Sequence, residues 1–363
     1  MCFKRGIDPC SRPLNLDAPI KVCLLSHVSR LVSQVNLSAK QHPMAKVVSL
    51  GVHIVDVLGR PVSEIPSGQN LAILDEIRMT VAGTAAGASV DMAKLGLQVI
   101  AIGAIGNDEI GEFMLGVMNR YGIDTRHMKR KAETQTSSTM LPIRPNGERP
   151  ALHVIGANGE LSYSDIDLDI IAQAQFLHLG GTPLLLKLDG EPASRVLHHA
   201  KESGATTTYD LLGIPSPQLA HMVEVCLPYV DYFMPNYEES IMISGLSDRR
   251  DILRYFLDRG AKHVVLKLGE GGSAIGFYDD RRLEEIRTPS FKVPVVDSTG
   301  CGDAYNAGFI KGLSLGWSLE EAARLASACG GLVIQGLGSD AGIVDFERTM
   351  EFVARSETLP LPS

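Results

Sequence analysis

An apolar strand end, Val295-Val296, runs into Asp297-Ser298-Thr299-Gly300-Cys301-Gly302-Asp303-Ala304-Tyr305 and then a helical pattern. Gly300 and Gly302 let successive backbone N–H groups converge at a helix N-terminus, which makes an anion cradle by geometry and dipole together. A carboxylate beside such a cradle is unfavourable unless it acts on a neighbouring group. Asp303 has the right placement for a base that takes a proton from a hydroxyl while the cradle holds a transferring phosphoryl group. The same residues also fit a plain helix start with glycine turns, because Asp is favoured early in helices. Spacing alone leaves both readings open.

Other stretches could serve the same chemistry. Pro235-Asn236-Tyr237-Glu238-Glu239 follows a short strand and places acids in a first helical turn. Lys267-Leu268-Gly269-Glu270-Gly271-Gly272-Ser273 closes another strand with a cation and three glycines. Asp56 is a charge at the end of an apolar strand. Ala82-Gly83-Thr84-Ala85-Ala86-Gly87-Ala88 is a run of small residues that permits close helix–sheet packing. Gly103-Ala104-Ile105-Gly106 has the spacing G-x-x-G rather than G-x-G-x-x-G, which makes dinucleotide binding a weak alternative. The histidines show no metal-ligand spacing, and the six cysteines form no C-x-x-C pair, which argues against a zinc site and a disulfide framework.

Asp297 to Asp303 resembles the C-terminal signature of the ribokinase-like, or PfkB-type, carbohydrate kinases, D-T-x-G-A-G-D, with Cys301 in place of Ala. Ala82 to Gly96 resembles their N-terminal signature less closely, with Gly87 in place of an Asn. The resemblance covers about residues 46 to 355 and implies ATP-dependent phosphorylation of a hydroxyl on a sugar or sugar-like molecule. It implies that Asp303 is the base and that Gly300, Cys301 and Gly302 form the anion hole. Asp56, Gly83, Thr84 and Gly87 would contact substrate, and Ile54 and Gly87 count against ribose. Asn236 and Glu239 would support magnesium, largely through water. Lys267, Gly269, Gly271, Gly272 and Ser327 would bind the nucleotide. A monovalent cation, K+, would sit at Asp297, Thr299, Val333, Gly336 and Gly338, and Asp297 fits a structural capping role as well. A nucleoside kinase of the same fold and a non-catalytic binding relative are the alternatives.

These residues need a scaffold. Short buried strands alternate with helical segments from Lys46 to Leu266, which predicts an α/β fold with a mostly parallel sheet covered on both faces. Helices are expected at Ser89 to Leu97, Glu109 to Tyr121, Pro192 to Ser203, Arg249 to Arg259 and Leu319 to Ile334. Residues 57–82 and 128–155 break the rhythm and read as one small antiparallel flap, with a turn at Pro145 to Gly147. The flap would close over the substrate and could pair two copies of the chain. The kinase domain is expected at 44–358.

Residues 1–43 differ, carrying six Lys/Arg against two acids. A dispensable extension, a targeting segment and a structural arm all fit them. The chain has 34 basic and 42 acidic residues, a net charge of −8, which excludes nucleic-acid binding by bulk charge. With 45% apolar residues and no apolar run of membrane-spanning length, the composition is that of a globular enzyme expected in the cytoplasm.

Overall fold

The computed structural model describes residues 45–146 and 148–362. The expectations for residues 1–43, and Gly147 of the turn, lie outside the described residues. The strands are β1 (Lys46–Gly51), β2 (Ile54–Arg60), β3 (Glu76–Ala82), β4 (Gln98–Ile102), β5 (Ala104–Ile105), β6 (Lys129–Arg130), β7 (Ser138–Pro142), β8 (Leu152–Val154), β9 (Phe176–Thr182), β10 (Thr206–Leu211), β11 (Tyr232–Phe233), β12 (His263–Lys267), β13 (Ser273–Asp279) and β14 (Arg282–Thr288). The helices are α1 (Ala86–Lys94), α2 (Glu109–Arg120), α3 (Leu168–Ala172), α4 (Glu191–Glu202), α5 (Leu219–Glu224), α6 (Tyr237–Ser244), α7 (Arg249–Leu257), α8 (Cys301–Ser314), α9 (Leu319–Val333) and α10 (Phe346–Arg355).

The main sheet runs β14-β13-β12-β11-β10-β9-β1-β4. Its strands are parallel except for the antiparallel β12–β13 and β13–β14 pairs. Period-2 alternation sends side chains to both faces. Val48, Leu50, Ile100 and Ile102 enter one apolar cluster, while Val47, Val99 and Ala101 enter the other. Both faces are therefore covered, as continuous apolar strands require. Because β9 to β12 are parallel, Asp210, Asn236 and Lys267 emerge together at the carboxyl ends of their strands, where ligands of open α/β folds collect.

The flap sheet runs β3-β2-β7-β8. Its outer pairs are antiparallel, and its central β2–β7 pair is parallel. Asp56 is not at the end of β1, as expected, but is the third residue of β2, which leaves the main sheet for the flap. Helix α1 begins three residues earlier than expected, so Gly87 lies in its first turn. Ala86 and Ala88 are strong helix formers and extend the helix backwards. Helices α8 and α9 pack at close range. A Cβ on Gly312 would stand 2.6 Å from Ala322 Cα, so the small residues of this pair are a packing requirement.

Candidate active site

Helix α8 starts at Gly300, whose φ of 78° is left-handed. A Cβ there would stand 2.4 Å from Ser339 Cβ, so glycine answers both backbone and space. The first intrahelical bond, from Ala304 N to Gly300 O at 2.9 Å, leaves the N–H groups of Gly302 and Asp303 ahead of the ladder. Cys301 belongs to the same turn. Burial pushes its thiol up to about 12, so the side chain stays neutral and the donors are backbone. The turn expected as a cradle thus offers backbone donors at the start of α8.

Asp303 is the third residue of α8 and half-buried. The helix N-terminus favours its charged form. Burial, and then the neighbouring Asp210 carboxylate, outweigh that influence and push Asp303 up to about 7. Its carboxylate points towards α1. A Cβ on Gly87 would lie 2.9 Å from Asp303 Oδ2, so any larger residue at 87 would press on the carboxylate.

A second group of charges gathers at the sheet edge. Lys267 Nζ donates to both Asp210 oxygens, at 2.9 and 3.0 Å, and a Cβ on Gly302 would lie 3.3 Å from that same nitrogen. Asn306 also donates to Asp210. Asn236 and Glu239 form a reciprocal cap at the start of α6, each bond 2.8 Å long. Glu239 is buried, and burial together with Asp210 pushes it up to about 7. Three carboxyl groups around one lysine leave an excess of negative charge. That donor set fits a magnesium ion that keeps most of its waters, and among the described residues no cluster forms a complete protein cage for a metal. Asp210 was not anticipated. Its only local signal is an acid closing the strand Thr206-Thr207-Thr208-Tyr209.

A cavity of about 910 Å³ opens from the cradle. It is lined by Asn236, Lys267, Gly269, Gly271, Gly272 and Ser327, all expected at a nucleotide, and by Cys301 and Gly302 of the turn, whereas Glu239, also expected there, does not line it. Phe291, Ile334 and Leu359 make part of its wall apolar. Ser327 Oγ donates to Pro289 O at 2.9 Å, which commits its proton to a loop.

The flap supplies the other side. Asp56 is buried, and burial pushes it up to about 6 against the opposing pull of Thr139 and Arg149. Arg149, from the hairpin between β7 and β8, also donates to Thr299 Oγ1 and places Nε 3.7 Å from Asp297 Oδ1. It was not anticipated, because a single arginine in a polar hairpin looks like any surface arginine. Gly83 has φ 94°, and a Cβ there would stand 2.7 Å from Val52 O; Thr84 is buried beside Gly180, and its Oγ1 has no hydrogen-bond partner among the described residues.

Asp297, expected at a potassium site, accepts hydrogen bonds on both of its carboxylate oxygens. Its Oδ1 accepts from Thr299 N and Oγ1 at 3.0 and 2.7 Å, and its Oδ2 accepts from Gly338 N at 2.9 Å. The Val333 and Gly338 carbonyls accept from Gly336 N and Ala341 N. The oxygens thus close turns, and Arg149 supplies positive charge beside them.

A family model described as pfkB family carbohydrate kinase matches residues 44–345. The 2-dehydro-3-deoxygluconokinase of Bacillus subtilis is 25% identical over 294 residues, which span 77% of this chain and 88% of that protein. The ribokinase of Haemophilus influenzae is 27% identical over 298 residues, 80% of this chain and 90% of that one. The structure of Arabidopsis thaliana ribokinase complexed with ribose and ATP superposes with a TM-score of 0.72 at 22% identity, covering 86% of this chain and 99% of the other.

Proposed function

The chain belongs to the pfkB family of carbohydrate kinases, and from that membership we propose that it transfers the terminal phosphoryl group of ATP to a hydroxyl of a sugar or sugar-like acceptor, with Asp303 as general base. The acceptor hydroxyl gives its proton to Asp303, its oxygen bonds to the γ-phosphorus, and the bond to the β-phosphate oxygen breaks to release ADP. The N–H groups of the Gly300 to Gly302 turn meet the charge on the transferring oxygens. Glu239 and Asp210 would hold magnesium, which when bound would supply positive charge to neutralise the phosphates. Asp56 and Arg149 hold the acceptor from the flap, which excludes water as a competing acceptor.

The observation that carries this reading is the position of Asp303. It joins the cradle, the large cavity on one side and the flap carboxylate Asp56 on the other. The test is a panel of sugars, sugar phosphates and nucleosides with a coupled ADP readout. A sugar-dependent release of ADP is expected, with ribose a poor acceptor because Ile54 and Gly87 stand where ribose-directed Asn residues would. A nucleoside preference would favour the nucleoside-kinase reading. Nucleotide binding without turnover across the panel would favour a non-catalytic relative.

The flap also supports self-association. Register places Ile77, Met79, Met140, Leu152 and Val154 on its outer face, and all five are exposed. An apolar sheet face of this kind marks a contact surface, and a second copy of the chain is its proposed occupant.

A further inference from the structure

The segment after α10 runs beside residues 290–292. Thr358 bridges antiparallel to Phe291. On either side of that bridge, Lys292 N donates to Glu357 O and Leu359 N donates to Ser290 O, each at 2.9 Å. Directly opposite residues share a face, so Leu359 stands on the side of Ser290, away from Phe291 and Thr358. That side meets the glycine turn. Ser290 Oγ donates to Glu270 O at 2.6 Å, and a Cβ on Gly271 would stand 3.5 Å from Pro362 Cγ. Leu359 and Pro362 accordingly line the large cavity at the tip of the turn.

The two ends of the turn differ in chemistry. At its start, Lys267 Nζ lies 3.3 Å from where a Cβ on Gly302 would be, so the cation borders the cradle. Phosphate oxygens suit that end. At the tip, Leu359 and Pro362 present carbon alone, and Ile334 adds a further apolar group to the wall of the same cavity. Leu359 is half-buried, which leaves apolar surface for a ligand to cover. A polyanion gains nothing by covering it. The face of a nucleobase or the carbons of a ribose remove it from water.

Resting on the donor reading of this cavity, we infer that Leu359 binds the nucleoside half of the donor nucleotide. The test is calorimetric titration of the full chain, wild type, Leu359→Ala and Leu359→Met, with ADP, adenosine and tripolyphosphate. Leu359→Ala should weaken ADP and adenosine alike by about 3- to 30-fold, the effect of losing most of one apolar contact. Tripolyphosphate binding should not change. Leu359→Met should recover most of the affinity, because methionine is apolar and close in volume. The melting temperature of both variants should stay at the wild-type value, since the side chain is only half covered. Unaltered ADP binding in Leu359→Ala overturns the inference, as does a Leu359→Met variant no better than Leu359→Ala. An equal loss for tripolyphosphate also overturns it, by showing that the residue acts through the position of the turn. A wild-type chain that binds none of the three ligands fails the donor-site reading itself, whereas wild-type binding that Leu359→Ala leaves intact fails this inference alone.

Discussion

Asp303 sits where opposing influences meet, and the balance sets the pH behaviour. A base works only when unprotonated. With Asp303 raised to about 7, kcat/KM should fall as pH drops through 7 and level off above it. Glu239, raised to the same range, should steepen that limb. Asp303→Asn should lower kcat by about 10²–10⁴-fold, because Asn fits the helix start but cannot take the proton. Nucleotide affinity should be kept or slightly improved, since a negative charge beside the phosphates is gone. Retention of more than about a tenth of the wild-type kcat would remove the base role, given that range. Stability should move the other way. A raised carboxyl pKa means that stability is lost as pH climbs from the ordinary carboxylate range to about 7. Asp303→Asn should therefore melt higher than wild type at pH 8, with a smaller gain at pH 5. At this scale, the legible residues are those in local motifs, such as Gly300, Asp303, Asn236 and Lys267, whose turns and caps lie within a few residues of one another. Asp210 and Arg149 have no such signature. Only strand order brings Asp210 to Lys267, and only the flap hairpin brings Arg149 to Asp297.

Two elements govern how the site is closed. The loop after α9 is clasped by the chain's own cations. Arg78 Nη1 donates to Leu337 O at 2.6 Å, its Nη2 to Asp340 Oδ1 at 2.8 Å, and Lys94 Nζ to Asp340 O at 2.6 Å. Arg149 stands on the opposite side. If a monovalent cation is held beside Asp297, replacing potassium chloride with tetramethylammonium chloride should lower turnover without unfolding the chain, and equal rates in the two salts would remove that site. The flap is the second element. If its outer face pairs two copies, light scattering should give the wild type twice its 39.1 kDa mass, and Met140→Lys should return it to a single chain without lowering its helical content. A monomeric wild type would leave that face without its proposed partner. The flap's position was legible from broken periodicity, and its parallel β2–β7 pair was not. Parallel partners are distant in sequence and leave no turn between them. Helix α1 started early for a simpler reason: Ala85-Ala86-Gly87 matches a loop motif while its alanines favour helix.

For the molecule as a whole, the charge divides near residue 43. The described residues from 45 onwards form one compact unit by their own contacts, and residues 1–43 carry a net positive charge on an otherwise acidic chain. Strand β1 starts at Lys46 and lies inside the sheet between β9 and β4. The ladder on its β4 side begins with Gln98 N donating to Ala45 O at 3.1 Å. A chain that begins at Met44 keeps that carbonyl, every described strand and every residue assigned to the site. Backbone hydrogen bonds and buried apolar area, rather than position in sequence, decide whether a terminus can be removed. The chain starting at Met44 should therefore fold cooperatively, melt at the wild-type temperature and keep kcat and KM for both substrates. Calorimetric melting and the coupled assay on the two lengths check this. A shortened chain that folds but loses turnover would place residues 1–43 at the site. One that does not fold would make them part of the body.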